Sequence, residues 1–396
     1  MEKRKPFINI SFDNTEVAFK RFSNAELKKS YWLFKVISNW FLAKVGPFFT
    51  KAAFFLRLPV SGLIKSTLFK QFCGGETIKE CTPVILKLHA NNVGTILDYS
   101  VEGESNEREF DHTTQQILKS ISKASEMPDA IPFCVFKLTG LGRFSLLEKI
   151  AGGTALRDFE KVEWQKVLNR VDLICKTAAE SQQPIMIDAE ETWIQGSIDA
   201  VAIAMMQKYN KQQPIVFNTY QLYRTDKLAF LINDSTVAVT HGFVLGAKLV
   251  RGAYLEKERK RAIENGYPSP IHADKQSTDK DFDAAVSFCL NNLEKVAFIA
   301  ATHNQHSCEV LVEKMEQRQI PVNYPHIYFA QLLGMSDNIS FNLANRQFNV
   351  AKYVPYGPVK AVLPYLLRRA EENTSIAGQM GRELSLIGKE LKRRGQ

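Results

Sequence analysis

The chain has 396 residues, of which 45% are hydrophobic and 23% charged, and this balance predicts a folded protein with a large core rather than a disordered one. Its formal net charge of +9 is spread along the chain without a long arginine-rich tract, which disfavours a dedicated nucleic-acid-binding protein. The six cysteines show neither a C-x-x-C pair nor metal-ligand spacing, so we expect no disulfide, no metal site and mostly buried thiols. No apolar signal-peptide core follows the charged start, which predicts a cytoplasmic location.

The N-terminal region, residues 1–85, differs in texture from the rest of the chain. Between residues 31 and 72 it is rich in Phe, Trp and Leu, but lysines and an arginine interrupt every apolar run well before the roughly 20 residues that a membrane span needs. We predict amphipathic helices that pack on a larger body. A peripheral contact with the inner face of a membrane is compatible with such helices.

The remainder, residues 86–396, alternates short apolar runs with stretches of helical periodicity. Eight runs are candidate strands: 94–101, 133–139, 184–188, 214–218, 246–251, 296–302, 326–330 and 350–354. Helical patterns separate most of them, as at 164–179, 198–209, 225–242 and 282–293. The alternation predicts an α/β fold: a closed (β/α)8 TIM-like barrel with an N-terminal helical appendage and a C-terminal helix. An open doubly wound sheet is the alternative.

Polar side chains recur at the ends of these predicted strands, where a barrel builds its active site. They include Lys137, Asp188, Asn218, Lys248, Arg251, Thr302, His303 and Tyr353. Each alone has an ordinary explanation, such as a helix cap or a buried structural histidine, so the shared location carries the prediction. A divalent metal is disfavoured because many cations surround the acids. A Schiff-base lysine at Lys137 or Lys248 stays open.

One predicted helix after the last strand carries polar groups on a single face. Tyr365, Arg368, Arg369 and Glu372 stand at i, i+3, i+4 and i+7 and therefore project together. Two guanidiniums with a nearby glutamate form a clamp suited to a carboxylate. The alternative is a solvated helix face with an incidental ion pair.

Six segments resemble the proline dehydrogenase family of flavoenzymes, and more closely its single-function, mitochondrial-type members. They are residues 136–142, 187–191, 248–254, 301–304, 331–335 and 353–373, and the likeness runs in order from about residue 70 to 390. The resemblance implies an enzyme that oxidises L-proline to Δ1-pyrroline-5-carboxylate with FAD and passes electrons to a membrane quinone. Hydroxyproline dehydrogenase of the same family, or a non-catalytic membrane-associated basic protein, are the alternatives.

The resemblance also implies roles for individual residues. It assigns Asp188 and Lys248 to catalysis. It assigns substrate binding to Lys137, Tyr254, Leu332, Tyr353, Tyr365, Arg368, Arg369 and Glu372. It assigns FAD binding to Asn218, Lys248, Arg251, Gly252, Ala253, Thr302 and His303. The chain departs from many bacterial members at two of these positions, with Lys248 in place of Arg and Asn218 in place of Gln, which bears on the flavin contacts.

Overall fold

The computed structural model describes residues 10–37, 61–101, 105–375 and 379–396, and no side chains at 61, 63, 370–375, 379 and 380. Part of the predicted N-terminal helical region, residues 38–60, therefore lies outside the described residues. The helices described before the first strand are α1 (Thr15–Phe19), α2 (Asn24–Ile37), α3 (residues 61–72) and α4 (Ile78–His89). The middle of α3, Lys65–Phe69, is a π-helix. None of the helices described is long and apolar enough to cross a membrane.

Eight parallel strands close into a barrel in sequence order, which confirms the predicted fold. The strands are β1 (Gly94–Tyr99), β2 (Phe133–Phe136), β3 (Ile185–Ile187), β4 (Val216–Gln221), β5 (Leu245–Val250), β6 (Val296–Ala301), β7 (Ile327–Leu332) and β8 (Val350–Tyr356). β8 pairs with β1 over six residues, and this pairing closes the barrel.

Helices follow the strands and cover the outside of the barrel. They are α5 (Glu107–Glu126), α6 (Phe144–Ala151), α7 (Asp158–Glu180), α8 (Thr192–Tyr209), α9 (Lys227–His241), α10 (Leu255–Asn265), α11 (Lys275–Asn291), α12 (Gln305–Gln317), α13 (Asp337–Asn345), α14 (Leu363–Ser375) and α15 (Gln379–Arg393). Some begin at a polar cap; Asn304, for example, accepts a hydrogen bond from the Ser307 N–H at the start of α12.

Strand alternation separates an inner core from an outer one. Met186 and Phe217 belong to the cluster inside the barrel, whereas Ile187 and Val216 pack against the surrounding helices. The next inward position after Met186 is residue 188, just beyond the end of β3. The strand ends therefore direct polar side chains into the mouth of the barrel.

The two chain ends meet in a second hydrophobic cluster. Residues of α1, α2 and α3 pack there against α14 and α15, and the members include Phe34, Phe72, Leu366 and Ile387. The α14 helix, which carries the arginine pair, therefore lies between the barrel and the N-terminal helices.

Candidate active site

Four charged side chains from the ends of four strands meet inside the barrel mouth. Lys248 Nζ on β5 lies 2.6 Å from Asp188 Oδ1, and Tyr353 on β8 donates a hydrogen bond to Asp188 Oδ2 at 2.8 Å. Lys137 Nζ lies 3.4 Å from Asp188 Oδ2 and 3.8 Å from Oδ2 of Asp98, on β1. Side chains that are far apart in the chain thus form one buried ion cluster.

The two carboxylates of this cluster respond to burial in opposite ways. Burial acts to raise the pKa of Asp188, but the ammonium groups of Lys248 and Lys137 and two hydrogen bonds outweigh it and the pKa is lowered. Burial raises the pKa of Asp98 to about 6, because Lys137 offsets it only in part and Asp188 adds repulsion. Asp188 is therefore ionised at neutral pH. Asp98 titrates closer to neutral pH than an ordinary aspartate does.

Arg251 occupies the neighbouring part of the mouth, just beyond β5. Its guanidinium donates to Asp279 at 2.7 Å, to the Thr302 hydroxyl at 2.6 Å and to the Ser307 hydroxyl at 2.9 Å. It also stacks over the Phe282 ring, with 4.4 Å from Cζ to the ring centroid. These contacts hold the guanidinium in one orientation, and the side chain remains partly exposed. A fixed, partly exposed guanidinium suits an anionic ligand group.

The backbone after Arg251 is exposed and unusually turned. Gly252 has φ of +134°, and a Cβ there would meet the Tyr223 ring at 2.5 Å, so only glycine fits without a shift. Ala253 is exposed as well, and Tyr254 lies immediately before α10. This turn brings bare main chain beside a fixed cation, as a diphosphate group requires.

His303, after β6, is kept neutral by its surroundings. Burial lowers its pKa to about 3, with the nearby Lys352, Arg369 and Arg251 adding to the shift. Its Nδ1 lies 2.9 Å from the Ser336 hydroxyl, which fixes the ring.

The two arginines of the predicted clamp lie on α14. Arg369 is buried, and its guanidinium lies 5.2 Å from the Tyr365 ring centroid, while Arg368 is half-buried. The Glu372 side chain lies outside the described residues. Leu332 at the end of β7 is the register partner of Tyr353, so both can wall the same space.

Comparison with known proteins places this arrangement in a family. The family model described as proline dehydrogenase matches residues 81–382. The chain belongs to the proline dehydrogenase family. Among relatives, proline dehydrogenase 1, mitochondrial, of Dictyostelium discoideum is 33% identical over 94% of this chain and 73% of its own length. Hydroxyproline dehydrogenase of Xenopus laevis is 30% identical over 84% of this chain and 78% of its own length.

A solved structure supports the same architecture. Proline utilization A from Bdellovibrio bacteriovorus, inactivated by N-propargylglycine, superposes with a TM-score of 0.72 and 19% identity, covering 96% of this chain and 40% of that one. At this identity the likeness shows the fold alone. The chain spans less than half of that longer protein.

One residue expected at the proline dehydrogenase site points elsewhere. The β4 strand runs to Gln221, three positions past the predicted end at residue 218, so Asn218 lies within it. Asn218 shares the outward face of Val216, donates to Asp199 on α8 at 3.0 Å and accepts from the Thr219 N–H at 2.9 Å. The structure therefore does not bring the Asn218 amide together with the other predicted cofactor residues.

Sequence reasoning missed Asp98 entirely. It reads as one acidic residue inside the otherwise apolar run of β1, and its side chain is fully buried. A buried strand tolerates a carboxylate only where a partner charge or a function requires it, so this position was the available signal.

Proposed function

We propose that the chain is an FAD-dependent proline dehydrogenase that oxidises L-proline to Δ1-pyrroline-5-carboxylate. The observation that carries the proposal is the convergence of Lys137, Asp188, Lys248 and Tyr353 from the ends of four strands at one buried site. A small buried cluster of ammonium and carboxylate groups suits a small zwitterion better than a large ligand. Family membership supports the same reaction.

In this proposal the cations hold the substrate carboxylate. Arg369 and Arg368 bind it from α14, Glu372 supports the pair, and Lys137 approaches from the opposite wall of the mouth. The ring methylenes need an apolar surface, and the proposal assigns this to four side chains. They are Tyr254, Leu332, Tyr353 and Tyr365.

The donor set fits FAD. Arg251 and the exposed backbone of Gly252 and Ala253 suit the diphosphate, and in this proposal Thr302, neutral His303 and Lys248 would hold the flavin ring. When bound, FAD supplies the hydride acceptor for the ring carbon next to the substrate nitrogen. Asn218 would support the cofactor site only indirectly, from the outward face of β4, because its amide donates a hydrogen bond to Asp199.

The chain's own residues prepare the substrate for this chemistry. Proline must give up an amine proton before hydride can leave, and Lys137, Lys248 and the arginine clamp lower the pKa of a nearby ammonium group. Asp188 accepts hydrogen bonds from Lys248 at 2.6 Å and from Tyr353 at 2.8 Å. These two bonds fix the position of both side chains in the mouth. Closure by α14 would exclude water.

We propose a membrane quinone as the electron acceptor, reached by peripheral contact. The exposed side of α2 supports this, since Trp32 and Val36 lie there with Lys28, Lys29 and Lys35. Aromatic and basic side chains on one helix face suit the headgroup region of an anionic bilayer. Flotation with anionic vesicles, compared for wild type and Trp32→Ala, tests the contact.

Hydroxyproline oxidation is the second candidate, favoured by the similarity to the Xenopus enzyme. Tyr353 opposes it, because the bulk of its buried ring would crowd a ring hydroxyl. Turnover of the two substrates by the same preparation separates the candidates. Higher turnover of hydroxyproline would replace the proposal.

A visible spectrum tests the main proposal. The purified protein is expected to show flavin absorbance that L-proline, but not D-proline, bleaches in the absence of oxygen. A colourless protein that gains no colour with added FAD, or a bound flavin that proline leaves unchanged, would contradict the proposal.

A further inference from the structure

Tyr223 is a buried aromatic residue just beyond the end of β4, and the proposed function gives it no role. Its side chain is only 3% exposed. A Cβ added to Gly252 would lie 2.5 Å from Cδ1 and Cε1 of the Tyr223 ring and 2.6 Å from Cγ. Carbon atoms in ordinary contact are about 3.5–4.0 Å apart, so the ring packs directly against the Gly252 main chain. Gly252 belongs to the turn that the proposed function assigns to the FAD diphosphate.

Main-chain hydrogen bonds join Tyr223 to the same turn. The Tyr223 N–H donates to the Arg251 carbonyl at 2.7 Å, and the Tyr223 carbonyl accepts from the His272 N–H at 2.8 Å. One residue earlier, the Leu222 N–H donates to the Val250 carbonyl at 2.8 Å. The hydrogen-bonded pairing of β4 with β5 therefore continues beyond both strands and brings Tyr223 against the start of the turn.

Gly252 does not fix the conformation of this turn by itself. Its φ of +134° lies in a region that glycine adopts readily, but glycine also has the widest choice of other backbone conformations. Gly252 and Ala253 are both exposed to solvent, so the constraint on the turn comes from its buried side. The Tyr223 ring occupies that side.

The Tyr223 hydroxyl is separate from this contact. It is buried, and within the described part of the chain it has no hydrogen-bond partner. The Tyr220 hydroxyl, by contrast, donates to Asp234 at 2.8 Å. The ring and the hydroxyl of Tyr223 can therefore be tested separately, because phenylalanine keeps the ring and removes the hydroxyl.

We infer that Tyr223 is a positioning residue for FAD, whose ring holds the turn of Arg251, Gly252 and Ala253 in the conformation that binds the diphosphate group. The inference rests on the proposed function, because it takes this turn as part of the cofactor site. Tyr223 itself touches no cofactor atom in this scheme. Without the ring the turn gains conformational freedom, and FAD binding must then remove that freedom at a cost in affinity.

Release of FAD from the holoenzyme tests the inference without a measurement of turnover. The holoenzyme is diluted, and the rise of flavin fluorescence gives the release rate. Tyr223→Leu is expected to release FAD about tenfold faster than wild type, because the turn is no longer held in one conformation. Tyr223→Phe is expected to release FAD at the wild-type rate, because it keeps the ring.

Phe243→Leu is the matched control for the loss of a buried aromatic ring. Phe243 is 3% exposed, as Tyr223 is, but it precedes β5 and so lies at the opposite end of the barrel from the mouth. Both leucine variants are expected to have a lower Tm than wild type, since each leaves a cavity. Phe243→Leu is expected to keep the wild-type rate of FAD release. Equal acceleration of release in the two leucine variants would overturn the inference.

Gly252→Ala alters the same contact from the exposed side and covers the case in which Tyr223→Leu does not fold. Its Cβ would displace the Tyr223 ring, so its FAD release is expected to be at least as fast as that of Tyr223→Leu. In the double variant, Gly252→Ala should add less than about threefold to the release rate, because the ring that it displaces is already absent. Effects that simply multiply in the double variant would contradict the inference.

The remaining outcomes separate the inference from the proposed function. A wild-type release rate in Tyr223→Leu or in Gly252→Ala would overturn the inference, and so would a Tyr223→Phe variant that releases FAD as fast as Tyr223→Leu. A wild-type protein that carries no flavin and gains none with added FAD would overturn the proposed function instead. A wild-type flavin that L-proline bleaches keeps the proposed function, whatever the Tyr223 variants show.

Discussion

Two buried ion clusters use similar residues for different ends. Outside β8, Lys352 is fully buried, lies 2.8 Å from Asp337 and donates to the carbonyls of Leu332 and Met335, while Asp337 accepts from Arg21 at 2.9 Å. In the mouth, the Asp188 carboxylate lies 2.6 Å from Lys248 Nζ and 3.4 Å from Lys137 Nζ, and it accepts a hydrogen bond from Tyr353 at 2.8 Å. The outer cluster links the N-terminal helices to β8, whereas the cluster in the mouth lies at the strand ends where a barrel binds its ligand.

The outer cluster also shows how the N-terminal helices are tied to the barrel. Arg21 follows α1, and its guanidinium stacks on the Phe22 and Phe341 rings at 4.1 and 4.7 Å. Asp337 forms an ion pair with Arg21 and a second one with Lys352 on β8, and so links the two cations. The charges there stabilise a contact between elements distant in sequence and have no open side for a substrate.

Asp337→Ala should have the largest effect, because it leaves Lys352 buried without its counter-ion. We expect the free energy of unfolding to fall by about 3–5 kcal/mol, measured by urea denaturation. Lys176→Ala breaks an exposed pair with Glu180 and should change stability by about 0.5 kcal/mol or less. Equal losses of unfolding free energy in the two variants would contradict the distinction between the buried and the exposed ion pair.

Arg369→Met should have the next largest effect, and on binding rather than stability. Loss of a buried charge-assisted contact is expected to raise the KM for L-proline about 100-fold, equivalent to about 2.7 kcal/mol. Arg382→Met removes an exposed arginine of α15 that pairs with Asp13 and serves as the control. Unchanged proline affinity in both Arg368→Ala and Arg369→Met would take the clamp out of the site.

Asp188→Asn should destabilise the protein. The pKa of Asp188 is lowered in the fold, so its stabilisation is present above its ordinary value of 3.8 and disappears as pH falls through the lower folded value. We expect a loss of about 2 kcal/mol at pH 7 from weakened bonds to Lys248 and Tyr353. The loss should shrink below about pH 4. An unchanged free energy of unfolding at pH 7 would contradict a stabilising role for Asp188.

The regular part of this molecule was accessible from the sequence. Alternating apolar runs and helical periods predicted all eight strands and their closure, because burial on both faces demands continuous apolar strands between amphipathic helices. Spacing also placed Lys137, Asp188, Lys248 and Tyr353 at one mouth, since parallel strands end on the same side.

The remainder depended on side-chain direction and distant contacts, which spacing does not encode. Asn218 lies two positions after the outward-facing Val216, so the alternation of strand faces directs its side chain outward. Asp98 was overlooked inside an apolar strand, and its partners lie on other strands. The docking of α14 and α15 on α1–α3 follows from packing of apolar faces over long range.

Tyr353→Phe should have the smallest effect and therefore tests the mouth most finely. It removes the 2.8 Å bond to Asp188 but keeps the ring, whose centroid lies 4.9 Å from Lys248 Nζ. We expect about 1 kcal/mol less stability and a change of less than about threefold in the KM for L-proline. Tyr220→Phe removes an equivalent 2.8 Å bond to Asp234 outside the barrel and should match the stability loss with no change in KM. A tenfold rise in KM for Tyr353→Phe alone would mean that the hydroxyl contacts the substrate itself, because loss of one support for Asp188 leaves Lys248 to hold that carboxylate in place.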